Sequence, residues 1–151
     1  MTASILREFY ITSLSHFDRT LCEIFMGAFF FAIRSCEYIQ VSRPRRTKLL
    51  ALKNINFFRG RWRLLHSNPN LHKAECISIA FELQKRDSKH DIITQHHSSD
   101  PLLCPVKIWA RIAKLLCSYQ SSSRETTVNT YQYPDLTIHL FTSKELLSRI
   151  H

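Results

Sequence analysis

Eight histidines, five cysteines and twelve acidic residues are available for chemistry in these 151 residues. Their spacing excludes most uses. A structural or catalytic zinc needs three or four ligands, usually in closely spaced pairs. His96 and His97 are adjacent, which on a strand sends them to opposite faces. His72 and Cys76 stand four apart with no evident third ligand. We therefore expect no metal site. The two glycines are isolated, so no Gly-rich loop can cradle a phosphate, and there is no G-x-S-x-G elbow. Cys22, Cys36, Cys76, Cys104 and Cys117 are odd in number and form no C-x-x-C pair. They read as free thiols of a reducing compartment, not as a disulfide framework.

Positive charge is what remains, and it is concentrated. The chain carries a formal charge of +9. The stretch from Arg43 to Lys89 holds twelve basic and three acidic residues, an excess equal to that of the whole chain, while the rest has nine of each. One face built from the middle third could thus carry the whole attraction to an anionic partner, most often nucleic acid. The candidate phosphate-contacting residues are Arg43, Arg45, Arg46, Lys48, Arg61, Arg63, Arg86 and Lys89. A second group stands beside them: Arg34 and Glu37 at the end of an apolar helix, and Lys85 in the polar segment Gln84–Lys89, fifty-one residues after Arg34.

Helices and strands must position these groups. The 44% hydrophobic content and low Gly and Pro counts fit one ordinary domain with a single core. Residues 1–17 read as an N-terminal tail or frayed helix. From Asp18 the residues Leu21, Ile24, Phe25, Ala28, Phe29 and Ala32 make one apolar stripe at helical spacing, with Ser15 or Asp18 as its N-cap. The apolar run Ile24–Ile33 spans roughly 15 Å as a helix, half a bilayer, so we expect no membrane span. Tyr38–Val41 reads as a second short helix ended by Pro44. A strand is expected over Leu49–Phe58, a turn at Arg59-Gly60, and a charge-alternating stretch from Arg61 to Leu65. Glu75–Leu83 alternates almost strictly and reads as a half-buried strand, with Asp91–Gln95 returning after a polar hairpin. Leu102–Leu116 is helical, with Pro101 and Pro105 at or before its first turn. Residues 118–135 read as a flexible loop. Residues 136–151 read as a short strand, Leu136–Phe141, and the start of a further helix with Ser143 as N-cap.

In that order the motifs resemble the catalytic domain of tyrosine recombinases, the phage-integrase-like enzymes, and especially their divergent crypton-like eukaryotic members. That family has a helix ending in Arg-x-x-Glu, a three-stranded sheet with a lysine in its β2–β3 hairpin, further helices, a His-x-x-Arg and a tyrosine. Here Arg34 matches the catalytic arginine, Glu37 the supporting acid and Lys85 the hairpin lysine. The resemblance covers residues 18–117 as a partial catalytic domain. It implies an α+β fold, with helices packed around a small antiparallel three-stranded sheet, the truncated form of an integrase-like domain. It also implies double-stranded DNA as partner and no cofactor. Arg34 would grip the non-bridging oxygens of the attacked phosphodiester, with Glu37 fixing its rotamer and Lys85 protonating the leaving 5′ oxygen.

The pattern stops short of the full family set. No His-x-x-Arg follows Lys85; the one match, His16-Phe17-Asp18-Arg19, precedes Arg34. Tyr119, Tyr131 and Tyr133 match no nucleophile. The expectation is a DNA-binding fragment, inactive alone, located intracellularly and in the nucleus if the source is eukaryotic. Marginal stability or self-association through uncovered apolar surface is expected with it. Each group also has a plainer use: Arg34 at a helix C-terminus, Glu37 as its surface partner, Lys85 as one charge on a polar turn. The alternative is a non-enzymatic basic DNA-binding protein. A third is an interaction or membrane-surface module using Phe25 and Phe29–Phe31.

Overall fold

Ser15 starts the central helix by taking the Asp18 N–H on its side-chain oxygen (3.0 Å), the interaction that makes serine a preferred N-cap. In the computed structural model, which describes residues 2–33, 35–42, 47–82 and 91–150 apart from the Cys36 side chain, this helix (α2) spans His16–Phe30. Before it, residues 1–17 are not a tail. They contain a helix, α1 (Ala3–Thr12), whose Leu6 is 1% exposed and whose Arg7 pairs with Asp100. After α2 come α3 (Ser35–Tyr38), β1 (Ile55–Arg59), β2 (Trp62–Leu64), β3 (Cys76–Phe81), β4 (Asp91–His96), α4 (Pro105–Ser118), β5 (Thr130–Gln132), β6 (Ile138–Leu140) and α5 (Ser143–Ile150).

The fold is α+β, with helices against an antiparallel sheet, as the sequence suggests. The sheet has four strands in the order β2-β1-β3-β4, not three, and β5-β6 form a separate two-stranded sheet. The extra strand is the charge-bearing arm Trp62–Leu64. It lies at the sheet edge, where charged side chains are tolerated and discourage pairing with another chain. Strand alternation then sorts the residues. Ile55, Phe57, Ile77, Ile79 and Phe81 face the helices and are buried. Asn56, Phe58, Cys76, Ser78, Thr94 and His96 share the other face. The helix α4 covers the inner face and packs on α2. Pro105 occupies its first turn, where the missing N–H costs nothing.

Four further expectations change. The strand expected over Leu49–Phe58 begins only at Ile55. Leu52–Asn54 is a 3₁₀ turn, closed by the Asn54 side chain accepting the Ala51 N–H at 2.9 Å. The short helix lies at Ser35–Tyr38, and Gln40 instead bridges to Thr142. The stretch 118–135 is not a flexible loop: it contains β5 and the buried Val128, Asn129 and Tyr131. At α5 the cap is Thr142 rather than Ser143. Thr142 Oγ1 accepts the Glu145 N–H, and Glu145 Oε2 accepts the Thr142 N–H, a reciprocal capping box.

Candidate nucleic-acid interface

The end of α2 sets up the first candidate region. Its last carbonyls are closed by Ile33 N–H to Ala28 C=O (3.0 Å) and Ala32 N–H to Phe29 C=O (3.1 Å), the Schellman pattern. This puts Ala32 at φ 50°, the left-handed region that glycine normally fills, so a non-glycine residue is held under strain one position from Ile33. The Phe30 carbonyl takes the Gln95 Nε2 of β4 at 2.9 Å. Arg34 itself lies outside the described residues.

Glu37 of α3 is 4% exposed. Its backbone carbonyl accepts the Leu50 N–H at 2.8 Å, which ties α3 to the chain entering the sheet. A cavity of about 310 Å³ opens here. Ala32, Ile33 and Glu37 line one side of it, and Phe81 and Asp91, the last pair of the β3–β4 ladder, line the other. Lys85 belongs to the chain between those two strands. Its own placement, and that of Arg86 and Lys89, lies outside the described residues. Arg43, Arg45 and Arg46 lie outside them as well.

Lys48 is exposed and already engaged. Its Nζ meets Glu82 Oε2 at 3.0 Å, while Lys53 Nζ (3.2 Å) and Asn54 Nδ2 (3.1 Å) reach Glu82 Oε1. These donors, Lys48 foremost, hold the Glu82 carboxyl down to about 2. A carboxyl depressed in the folded state stabilises it above the ordinary carboxylate range, and that contribution is lost as pH falls towards 2. Glu82→Gln should therefore flatten the decline in urea midpoint between about pH 5 and pH 2.5. An identical acid slope in the variant would show that Glu82 is not part of the acid response.

Arg61 and Arg63 are exposed on the β1–β2 hairpin, together with Arg59. The pairings Phe58 with Cys76 and Phe81 with Asp91 set the hairpin and the cavity at opposite ends of β3. Five strand steps separate those two pairs, roughly 16 Å at 3.3 Å per residue. Among the described residues, the hairpin arginines thus stand at the other end of the sheet from the cavity that Glu37 lines. Two residues of this region are not among the contacts expected from the sequence: Arg59, and Trp62, which is 79% exposed. The available signal was the alternation Arg59-Gly60-Arg61-Trp62-Arg63, in which each apolar position is flanked by charge.

The surplus chemistry is quieter. Among the described residues no three His, Cys, Asp or Glu side chains converge on a metal-sized site. Cys22, Cys76, Cys104 and Cys117 are free thiols, and burial pushes Cys22 up to about 12. The out-of-order His16 and Arg19 serve packing: His16 Nδ1 meets the Tyr131 hydroxyl at 2.9 Å, and Arg19 lies over the Tyr10 ring. Phe31 is buried edge-on against Trp109 and does not contribute to an uncovered apolar face; Phe29 is partly exposed. Among the described residues no helix is long and apolar enough to cross a membrane. No protein-family model matches the chain, and no curated protein or solved structure matches it.

Proposed function

We propose that this chain is a DNA-binding portion of a tyrosine-recombinase-like catalytic domain, one that grips a phosphodiester but does not break it alone. The observation that carries the reading is the shared cavity. The segments bearing Arg34 and Lys85 are fifty-one residues apart in sequence, yet Ile33 and Glu37 from one and Phe81 and Asp91 from the other line the same space. In this reading Arg34 binds the non-bridging oxygens through its planar fork of donors. Glu37 orients Arg34, and Lys85 supplies the proton for the leaving oxygen. These 151 residues contain no His-x-x-Arg after Lys85 and no matching tyrosine, so the covalent step has no nucleophile. The plainer DNA-binding reading draws on a different observation, the exposed arginine hairpin at the far end of the sheet.

Two variants separate them. Duplex affinity is measured by anisotropy between about 50 and 200 mM salt, where each phosphate contact adds about −0.9 to the slope of log K against log salt. Arg61→Ala with Arg63→Ala should make the slope shallower by about 2. Arg34→Ala with Lys85→Ala should weaken duplex binding as well. Loss from the hairpin pair alone favours the plain DNA-binding protein. Loss from neither pair removes both readings. Covalent capture of a nicked suicide duplex by the unmodified chain would overturn the statement that it cannot cleave alone.

A further inference from the structure

The β1–β2 hairpin presents an indole to solvent and also carries three exposed arginines. Trp62 is 79% exposed, its sequence neighbours Arg61 and Arg63 are exposed, and its directly opposed partner across the ladder is the exposed Arg59. Directly opposed residues share one face of a ribbon, so Arg59 and Trp62 stand side by side. The next pair on that face, Phe57 with Leu64, packs into the core. The hairpin is therefore anchored at its base by apolar burial, and only its tip projects.

The tip is also held in shape. Gly60 takes φ +58° at the turn, a conformation that a side chain would strain. The Gly60 N–H is bonded to Glu75 Oε2 at 3.0 Å, which pins the turn to the segment before β3. An exposed indole with a guanidinium beside it on the same face, and two more on the same hairpin, suits a partner with both flat π faces and negative charge. A second copy of the chain pairing through this edge would bring like charges together. Nucleic acid meets both demands. In an intact duplex the base faces are stacked on each other, whereas an unpaired strand offers them freely.

We propose that this hairpin is a single-strand-binding element, in which Trp62 stacks on an unpaired nucleobase while Arg59, on the same face, and Arg61, at the turn, hold the flanking phosphates. The inference deepens the nucleic-acid part of the proposed function and rests on it for the phosphate contacts. It assigns Trp62 a role that duplex binding does not require.

The chain has two tryptophans, and the other, Trp109, is fully buried. The solvent-exposed component of the emission therefore reports Trp62. Titration with oligo-dT should quench that component. Trp62→Ala should abolish the quench and weaken oligo-dT binding by about 5- to 150-fold, the range for one stacked base. Trp62→Tyr should retain most of the affinity, and duplex binding should change by less than about twofold, because phosphate contacts carry it. A parallel titration with oligo-rU tells whether the strand is DNA or RNA. Unchanged emission on adding either oligonucleotide overturns the inference. So does wild-type oligo-dT affinity in Trp62→Ala, or a blue shift on raising protein concentration alone, which would place a second copy on this edge. Salt-dependent duplex binding without oligonucleotide quenching leaves the proposed function standing and removes only this inference. Quenching of the unmodified chain and weakened oligo-dT binding in Trp62→Ala, with no duplex binding, do the reverse.

Discussion

Trp109→Ala is expected to destabilise the fold by about 3–5 kcal/mol, the range for emptying a fully buried aromatic site. Trp109 is 0% exposed at the contact of α4 with α2. Its Nε1 donates to the Gly27 carbonyl at 3.2 Å, and Phe31 packs edge-on against its ring at 6.2 Å between centroids. Gly27 is what admits the ring so closely. A Cβ built there would lie 2.9 Å from Trp109 Cε2 and Nε1. A glycine inside a helix costs about 1 kcal/mol relative to alanine, so the position sacrifices local helix stability for the approach of the indole. Gly27→Ala alone should therefore destabilise by about 1–3 kcal/mol through overpacking. In the Trp109→Ala background the same change should become neutral or stabilising by up to about 1 kcal/mol, because the clash is gone and helix propensity remains. Urea unfolding followed by far-UV circular dichroism reads all four corners of this cycle. An equal penalty for Gly27→Ala in both backgrounds would mean that the glycine is required for some reason other than the indole.

That pair also shows what the sequence could and could not reveal. The stripe Leu21-Ile24-Ala28 and the Ser15 cap are local, set by a 3.6-residue period and one side-chain hydrogen bond, and both are found in α2. The role of Gly27 is not local, because it depends on a residue eighty-two positions away. The helix α1 was visible only as weak spacing, since Leu6 is its sole fully buried residue and no side chain caps it. The strands β5 and β6 have three residues each, too few for alternation to register. In the candidate site the residue types were readable and the geometry was not. The arginines of the hairpin could be counted, but their separation from Glu37 follows from strand register, which single-chain periodicity does not supply. The exposure of Trp62 is hidden for a related reason. Alternation of charge with apolar residues does not say whether the apolar positions are covered, and here the edge position and the projecting tip leave the indole in solvent.

Phe141→Ala should match Trp109→Ala in size, about 3–5 kcal/mol, and should differ from it in where the structure loosens. Phe141 is fully buried and joins three distant parts of the chain. Its ring packs on Phe17 of α2 at 4.7 Å and on Tyr131 of β5 at 5.6 Å. Its N–H donates to the Asn129 carbonyl at 2.9 Å, and its own carbonyl accepts both the Gln40 N–H (3.0 Å) and Asn129 Nδ2 (3.3 Å). A two-stranded sheet has little stability of its own, so β5-β6 depends on this aromatic cluster for its place. Losing the ring should free the stretch 118–135 before the central sheet melts. Hydrogen exchange should then accelerate at Val128 and Thr130, and limited proteolysis should cut between Tyr119 and Tyr133, while β3 amides stay protected. Phe141→Leu keeps most of the volume and should show a smaller version of the same pattern. A second set of bonds competes with this account: Val128 N–H to Leu50 C=O at 2.9 Å and Leu52 N–H to Thr126 C=O at 3.0 Å. If exchange and proteolysis of 118–135 are unchanged in Phe141→Ala, those bonds hold the segment and the aromatic cluster does not. If they accelerate as expected, the segment that reads as a loop owes its order to the cluster that Phe141 forms with Phe17 and Tyr131.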